Sequence, residues 1–124
     1  MISGIGIDIV KTDRIREAAQ KWGDKFLRRV FTDNEIAYSF RNKNPFLSLS
    51  VRFAAKEALI KAVGAEVPLA FLDIEIVNSD KGKPCIKVSG GMEAFFEKRS
   101  IRHAHLSMSH EHEFGVACVV LEAE

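Results

Sequence analysis

Net charge is nearly missing from this sequence: 18 Lys and Arg stand against 17 Asp and Glu over 124 residues, leaving +1. Cysteine is scarce. The two present, Cys85 and Cys118, lie in separate strand-like runs and form neither a CxxC pair nor a framework, which excludes a disulfide scaffold and fits buried, reduced thiols in a cytosolic chain. No run of about 18 apolar residues exists, so no membrane span is expected. The N-terminus, Met1-Ile2-Ser3-Gly4-Ile5-Gly6-Ile7-Asp8, has no basic leader and meets an acid at position 8, so a signal peptide is not expected. Repeats, low-complexity tracts and linkers are absent. Apolar residues make up 47% and charged residues 28%, ordinary values that argue against disorder and collagen-like repeats. The expectation is one domain over residues 1–124, long enough to bury its own core.

The small net charge conceals a split. Residues 1–61 hold 12 basic and 7 acidic side chains, whereas residues 62–124 hold 6 and 10. Such asymmetry points to an acidic partner or ligand for the first half.

Periodicity predicts a strand over residues 2–10 and a helix from Asp13 to Trp22 capped by Thr12 and ended by Gly23. A short helix carrying Phe26, Leu27 and Val30 follows, with Asp24 as its cap. The capping box Thr32-Asp33-Asn34-Glu35 opens a further helix to about Asn42. Pro45 starts the longest helix, which runs to Gly64 with Phe46, Leu49, Phe53, Ile60 and Val63 on one broad stripe. Strands are expected at 72–77, 85–88, 103–110 and 114–121, and a short helix after Gly90-Gly91. Two hairpins and no βαβ rhythm give an α+β domain, with a mainly antiparallel sheet packed against a long helix and shorter ones.

Four groups of residues could carry chemistry. In Arg52-Phe53-Ala54-Ala55-Lys56-Glu57-Ala58-Leu59-Ile60-Lys61-Ala62, helical spacing stacks 53, 57 and 61, so Glu57 and Lys61 stand where an apolar stripe was under way. They form either a solvated ion pair or a carboxylate and ammonium held for a metal and a phosphate. Asp8 is an acid within an apolar strand, costly unless paired or bound to a cation, or else a strand-end turn residue. Gly4-x-Gly6 is too short for a dinucleotide fingerprint. His103, His105, His110 and His112 suggest zinc, but strand alternation turns them to different faces and no further ligand completes a zinc spacing. The basic run Lys11, Arg14, Arg16, Lys21, Lys25, Arg28, Arg29 is a solvated helix face, or a docking face for an acidic protein or nucleic acid. Only Trp22 offers base stacking among its basic residues before Phe26, so nucleic acid is not expected.

Taken together, Gly4-Ile5-Gly6-Ile7-Asp8, Arg52-Phe53-Ala54-Ala55-Lys56-Glu57-Ala58-x-x-Lys61-Ala62 and His105-Leu106-Ser107-Met108-Ser109-His110 resemble the three signatures of the holo-acyl-carrier-protein synthases, the stand-alone short class of 4′-phosphopantetheinyl transferase. The resemblance spans the whole chain. It implies transfer of the 4′-phosphopantetheine arm of coenzyme A to a serine of apo acyl carrier protein, with release of adenosine 3′,5′-bisphosphate and a need for Mg²⁺. Asp8 and Glu57 match the metal ligands, and Lys61 matches the phosphate-binding lysine. Ser109, His110 and Arg52 fall among the coenzyme-binding residues, His110 at the 3′-phosphate. Glu57, or a Mg²⁺-bound water it holds, is the candidate base. Arg14 leads the carrier-protein face, followed by Lys21, Lys25 and Arg28. His105 is read as packing or shaping the cleft, and the direction of Lys56, about 100° round the helix from Glu57, stays open. Two-domain relatives carry Asp-x-Glu where this chain has Asp8-Ile9-Val10, so a water is expected in place of the second carboxylate. The resemblance also implies a cytoplasmic homotrimer with sites between subunits and a role in fatty acid biosynthesis. The rivals are another Mg²⁺-dependent nucleotide or pyrophosphate hydrolase and a small basic binding module.

Overall fold

A computed structural model describes residues 1–64 and 70–124. The chain runs β1 (Ile2–Lys11), α1 (Thr12–Trp22), α2 (Asp24–Val30), α3 (Asp33–Phe40), α4 (Pro45–Val63), a 3₁₀ turn (Phe71–Asp73), β2 (Ile74–Asn78), β3 (Pro84–Val88), α5 (Gly90–Lys98), β4 (Ile101–Glu111) and β5 (Phe114–Ala123). The expected α+β class holds. The strands divide into an antiparallel sheet ordered β1-β5-β4 and a separate β2-β3 hairpin.

Alternation along β1 sends Gly4, Gly6, Asp8 and Val10 to one face and Ile5, Ile7 and Ile9 to the other. The inner face receives α4. A Cβ on Gly4 would lie 2.1 Å from the Ala62 carbonyl oxygen, and one on Gly6 1.9 Å from that of Ala58. Gly115 of β5 meets Val51 in the same way, at 2.8 Å from its backbone nitrogen. Three glycines thus form a floor on which the helix backbone rests.

The other flank of α4 meets α1, α3 and β2. From Leu49 to Leu59 the helix is therefore buried almost all round, with Glu57 as the partly exposed exception. The single apolar stripe read from the sequence is too narrow a description, because α4 sits between two layers. Val10, Ala117, Val119 and Leu121 supply the sheet's share of the core. Neither thiol is buried as expected: Cys118 alternates to the outer face opposite Ile7 and is half-buried, and Cys85 on β3 is exposed.

The capping box forms as expected. Glu35 N donates to Thr32 Oγ1 at 3.2 Å, and Thr32 N to Glu35 Oε1 at 2.8 Å. Asn44 caps α4 through Leu47 N, with Pro45 at the first helical position. Two caps differ from expectation. Thr12 is already helical and buried, and Lys11 occupies the cap position without a side-chain bond. The reason is that Thr12 N donates to Glu113 O at 2.7 Å, so the β4–β5 turn holds the backbone where β1 enters α1. Similarly Gly23, not Asp24, precedes α2. Helix α3 stops at Phe40, where Arg41 N and Asn42 N tighten onto Tyr38 O and Ser39 O.

Candidate active site

Asp8 projects from β1 next to the glycine floor, toward the C-terminal half of α4. Lys61 Nζ donates to Asp8 Oδ1 at 2.9 Å and to Ile7 O at 3.0 Å. The Asp8 side chain is 17% exposed and that of Lys61 54%. Glu57 lies one turn before Lys61. Partial burial holds its carboxyl above the usual glutamate range, and the negative charge of Asp8 pushes it the same way, against the opposing pull of Arg14 and Lys61. Arg14 reaches over from α1 with its guanidinium 5.6 Å from the Phe53 ring centroid, one turn before Glu57. The glycines account for the grouping: without side chains at 4 and 6, α4 comes close enough for its charged face to meet an acid on the strand.

A second group lines a cleft of about 390 Å³ between α3, α4, the β2–β3 hairpin and the end of β4. Arg52 forms its wall and is only 4% exposed. Its Nη1 donates to Ser48 Oγ at 3.2 Å, Nη2 donates to Asn78 Oδ1, and the guanidinium stacks 4.3 Å from the Tyr38 ring centroid. Burial lowers its pKa, partly offset by Tyr38 and Glu35. Its Nε has no partner, and among the described residues no carboxylate forms an ion pair with it. A cation held in the cleft wall by neutral partners leaves a positive charge suited to an incoming anion. Ser109 and His110 face this cleft and also a wider one of about 740 Å³ on the outer side of the sheet, beside Ile9, Phe114 and Val116. Arg52 and Glu57 are five residues apart on α4, about 7.5 Å along its axis.

The basic face is less unified. Lys21 Nζ lies 4.9 Å from the Trp22 ring centroid. Lys25 shares a shallow groove of about 280 Å³ with Trp22, Phe26 and Arg29. Arg28 turns instead to Asp33 of α3, at 3.5 Å. Arg29 belonged to the basic run but was not carried forward with Arg14, Lys21, Lys25 and Arg28, and Trp22 and Phe26 were not read from the sequence as part of a groove. Their spacing with Lys25 and Arg29, at i, i+3, i+4 and i+7, carried the signal, and Gly23 masked it by splitting the helix.

The histidines do not converge. The rings of His103 and His105 stack at 5.6 Å, and His105 Nε2 meets Glu122 Oε1 at 2.9 Å, a hydrogen bond that holds the Glu122 carboxyl below its usual range. His112 stands in the β4–β5 turn. Among the described residues, no group of three or more His, Cys, Asp or Glu side chains is placed to hold a metal. Lys56 points away from Glu57 into the core, where Glu35 meets it.

A family model described as the 4′-phosphopantetheinyl transferase superfamily matches residues 4–119. The holo-[acyl-carrier-protein] synthase of Halothermothrix orenii is 42% identical over 98% of each chain. The crystal structure of the Neisseria meningitidis holo-[acyl-carrier-protein] synthase superimposes with a TM-score of 0.90 at 37% identity, covering 98% of this chain and 99% of that one. That of Bacillus anthracis, solved in complex with CoA (3′,5′-ADP), superimposes with a TM-score of 0.81 at 41% identity, covering 100% and 99%. With its three motifs folded onto one helix and two strands of that shared architecture, the chain belongs to the 4′-phosphopantetheinyl transferase superfamily and, within it, to the holo-[acyl-carrier-protein] synthases.

Proposed function

We propose that this chain transfers the 4′-phosphopantetheine arm of coenzyme A to a serine hydroxyl of apo acyl carrier protein. The serine oxygen forms a bond to the phosphorus carrying the pantetheine arm. The bond from that phosphorus to the bridging oxygen breaks, and adenosine 3′,5′-bisphosphate leaves. The observation that carries this reading is the convergence of Asp8, Glu57 and Lys61 beside a cleft walled by an anion-ready Arg52. Family membership and the coenzyme-bound relative support it.

Asp8 and Glu57 fit a divalent cation. They are hard oxygen donors on two different elements, close enough that the charge of one raises the pKa of the other. Two carboxylates, with substrate phosphate and water for the remaining positions, are what Mg²⁺ ordinarily takes. When bound there, Mg²⁺ would polarise the pyrophosphate and neutralise charge on the departing phosphate. Lys61, half exposed and now on Asp8, offers its ammonium to the same developing charge. Glu57 takes the serine proton, directly or through one water. Arg52 and His110 hold the coenzyme's 3′-phosphate, with Ser109 beside them. Arg14 and the Trp22–Lys25 groove receive the acidic carrier.

The outer face of β1 supports self-association as a homotrimer. Ile5, Ile7 and Ile9 are each more than 60% exposed, and Ser109 and His110 stand at the border of that face. Work in the cytoplasm, in fatty acid synthesis, follows from the same reading. Among the described residues no helix is long and apolar enough to cross a membrane.

The test is incubation with apo carrier protein, coenzyme A and Mg²⁺, followed by intact mass. The expected result is a gain of one phosphopantetheine arm, with adenosine 3′,5′-bisphosphate formed only when apo carrier is present. Nucleotide release without carrier would instead make the chain a hydrolase.

A further inference from the structure

The core junction beneath the proposed active site is built from charge. Lys56 and Glu35 are both fully buried and lie 2.7 Å apart, Nζ to Oε1. Lys56 also donates to Val30 O at 2.7 Å and to Phe71 O at 3.1 Å, so its three donors meet three acceptors. Glu35 is equally occupied. Its Oε1 also accepts from Thr32 N, and its Oε2 accepts from Ile76 N at 2.8 Å. The pair joins the end of α2, the start of α3, α4, the 3₁₀ turn and β2.

Net stability is a weak reason for such a pair, because well-packed apolar residues generally do as well. Direction is what it adds. The glycine floor sets the distance between α4 and the sheet but presents no side chains to interlock with the helix. The small buried residues Ala54, Ala55 and Ala58 resist rolling no better. Ser48 and Ser50 tie the first turns of α4 to Ser39 and Thr12, and beyond them the polar side chains that anchor the helix besides Lys56 are Arg52, in the cleft proposed for the coenzyme, and Lys61, on Asp8. Arg52 and Lys61 face the proposed ligand sites, and the serines lie about two turns or more before Glu57 and Lys61. Lys56 is anchored entirely within the core.

We infer that Lys56, clamped by Glu35, is a positioning residue: it fixes the rotation of α4 about its axis and so aims Glu57 and Lys61 at Asp8. The inference rests on the function proposed above. A side-chain group about 5–6 Å from the helix axis moves by about 2 Å for a roll of about 20°. A misplacement of about 1 Å can cost about 10²-fold in rate.

The test compares wild type with Glu35→Gln/Lys56→Met, which removes both charges of the pair together, and with Thr32→Ala, which weakens the α3 cap but leaves every Lys56 contact. All are studied well below their melting temperatures. Transfer kinetics are measured with apo carrier and coenzyme A. Mn²⁺ alone is titrated into the free proteins and followed by the electron paramagnetic resonance of unbound Mn²⁺. The double variant is expected to lose about tenfold or more in kcat and in Mn²⁺ affinity, while its KM for coenzyme A stays within about twofold. Thr32→Ala is expected to keep kcat and Mn²⁺ affinity even where it melts as early as the double variant. Retention of both by the folded double variant, or equal losses in Thr32→Ala, would overturn the inference. Should the double variant not fold, Glu35→Asp keeps both charges but retracts the carboxylate by one methylene, and it carries the same two outcomes. Failure of wild type to modify the carrier would strike the proposed function itself. Active wild type with an unaffected variant would strike only the role of Lys56.

Discussion

Glu57 gives up stability for the position it holds. In the metal-free protein its carboxyl binds a proton more readily than in the unfolded chain, because it is partly buried and Asp8 is near. Its favourable contribution is therefore fully present below the unfolded pKa and is lost as pH rises through the higher folded one. Glu57→Gln is accordingly expected to raise the melting temperature at neutral pH without metal, with the gain vanishing near about pH 4. The same variant should lose about 10²–10⁴-fold in kcat, as for removal of a general base. Paired thermal melts and single-turnover assays check this, and a variant both active and less stable would count against Glu57. Lys25 offers the contrasting case: Lys25→Glu is expected to raise the KM for carrier protein about tenfold without altering that for coenzyme A, and the effect should shrink in high salt. At this scale the sequence was legible where a residue broke a pattern. Asp8 stood out as an acid in an apolar strand, and Glu57 with Lys61 interrupted an apolar helical stripe. Lys56 was not legible, because a lysine beside a motif glutamate gives no sign that a glutamate 21 residues earlier waits for it in the core.

Among the elements, α4 decides whether a site exists, and β1 decides whether α4 can come near. Gly6→Ala is expected to destabilise the fold by about 3 kcal/mol or more, since the new Cβ would meet the Ala58 carbonyl at 1.9 Å, and a helix backbone cannot yield as a flexible side chain can. Urea denaturation measures the loss. Transfer activity of the folded fraction should fall as well, because lifting α4 separates Glu57 and Lys61 from Asp8; unchanged stability would mean the helix does not rest on the strand. Local signals such as the Thr32–Glu35 capping box and Pro45 named helix starts correctly, because their chemistry lies within four residues. Thr12 misled because its own N–H is held by the Glu113 carbonyl, about a hundred residues away, which places Thr12 inside the helix rather than at its cap. The depth of α4 was hidden for a related reason. Burial on both flanks depends on the β2–β3 hairpin closing over the helix from the second half of the chain, which no 3.6-residue period reports.

For the molecule as a whole, the near-zero net charge is the sum of unlike surfaces. Arg14 and the Lys25–Arg29 groove belong to the basic half, whereas His105, Glu122 and the acidic C-terminal residues belong to the other. Between them lies a face with little charge. Register places Ile5, Ile7 and Ile9 opposite Val120, Cys118 and Val116, and β4 adds His105, Ser107 and Ser109 at the far edge. An isoleucine left in water forgoes roughly 1.5–3 kcal/mol that burial would supply, and here three stand in a row on a flat strand. A further copy of the chain seated on this face would cover them and wall the outer cleft at Ser109 and His110. Ile7→Glu tests this cleanly, since the Ile7 side chain points outward while its carbonyl, which serves Lys61, is left in place. Wild type is expected to sediment at three times the 13.9 kDa chain mass and Ile7→Glu at the single-chain mass, with circular dichroism unchanged and transfer lost. Recovery of transfer at high protein concentration, in step with reassembly, would tie the activity to the neighbour. A fully active single chain would show instead that each subunit holds a complete site.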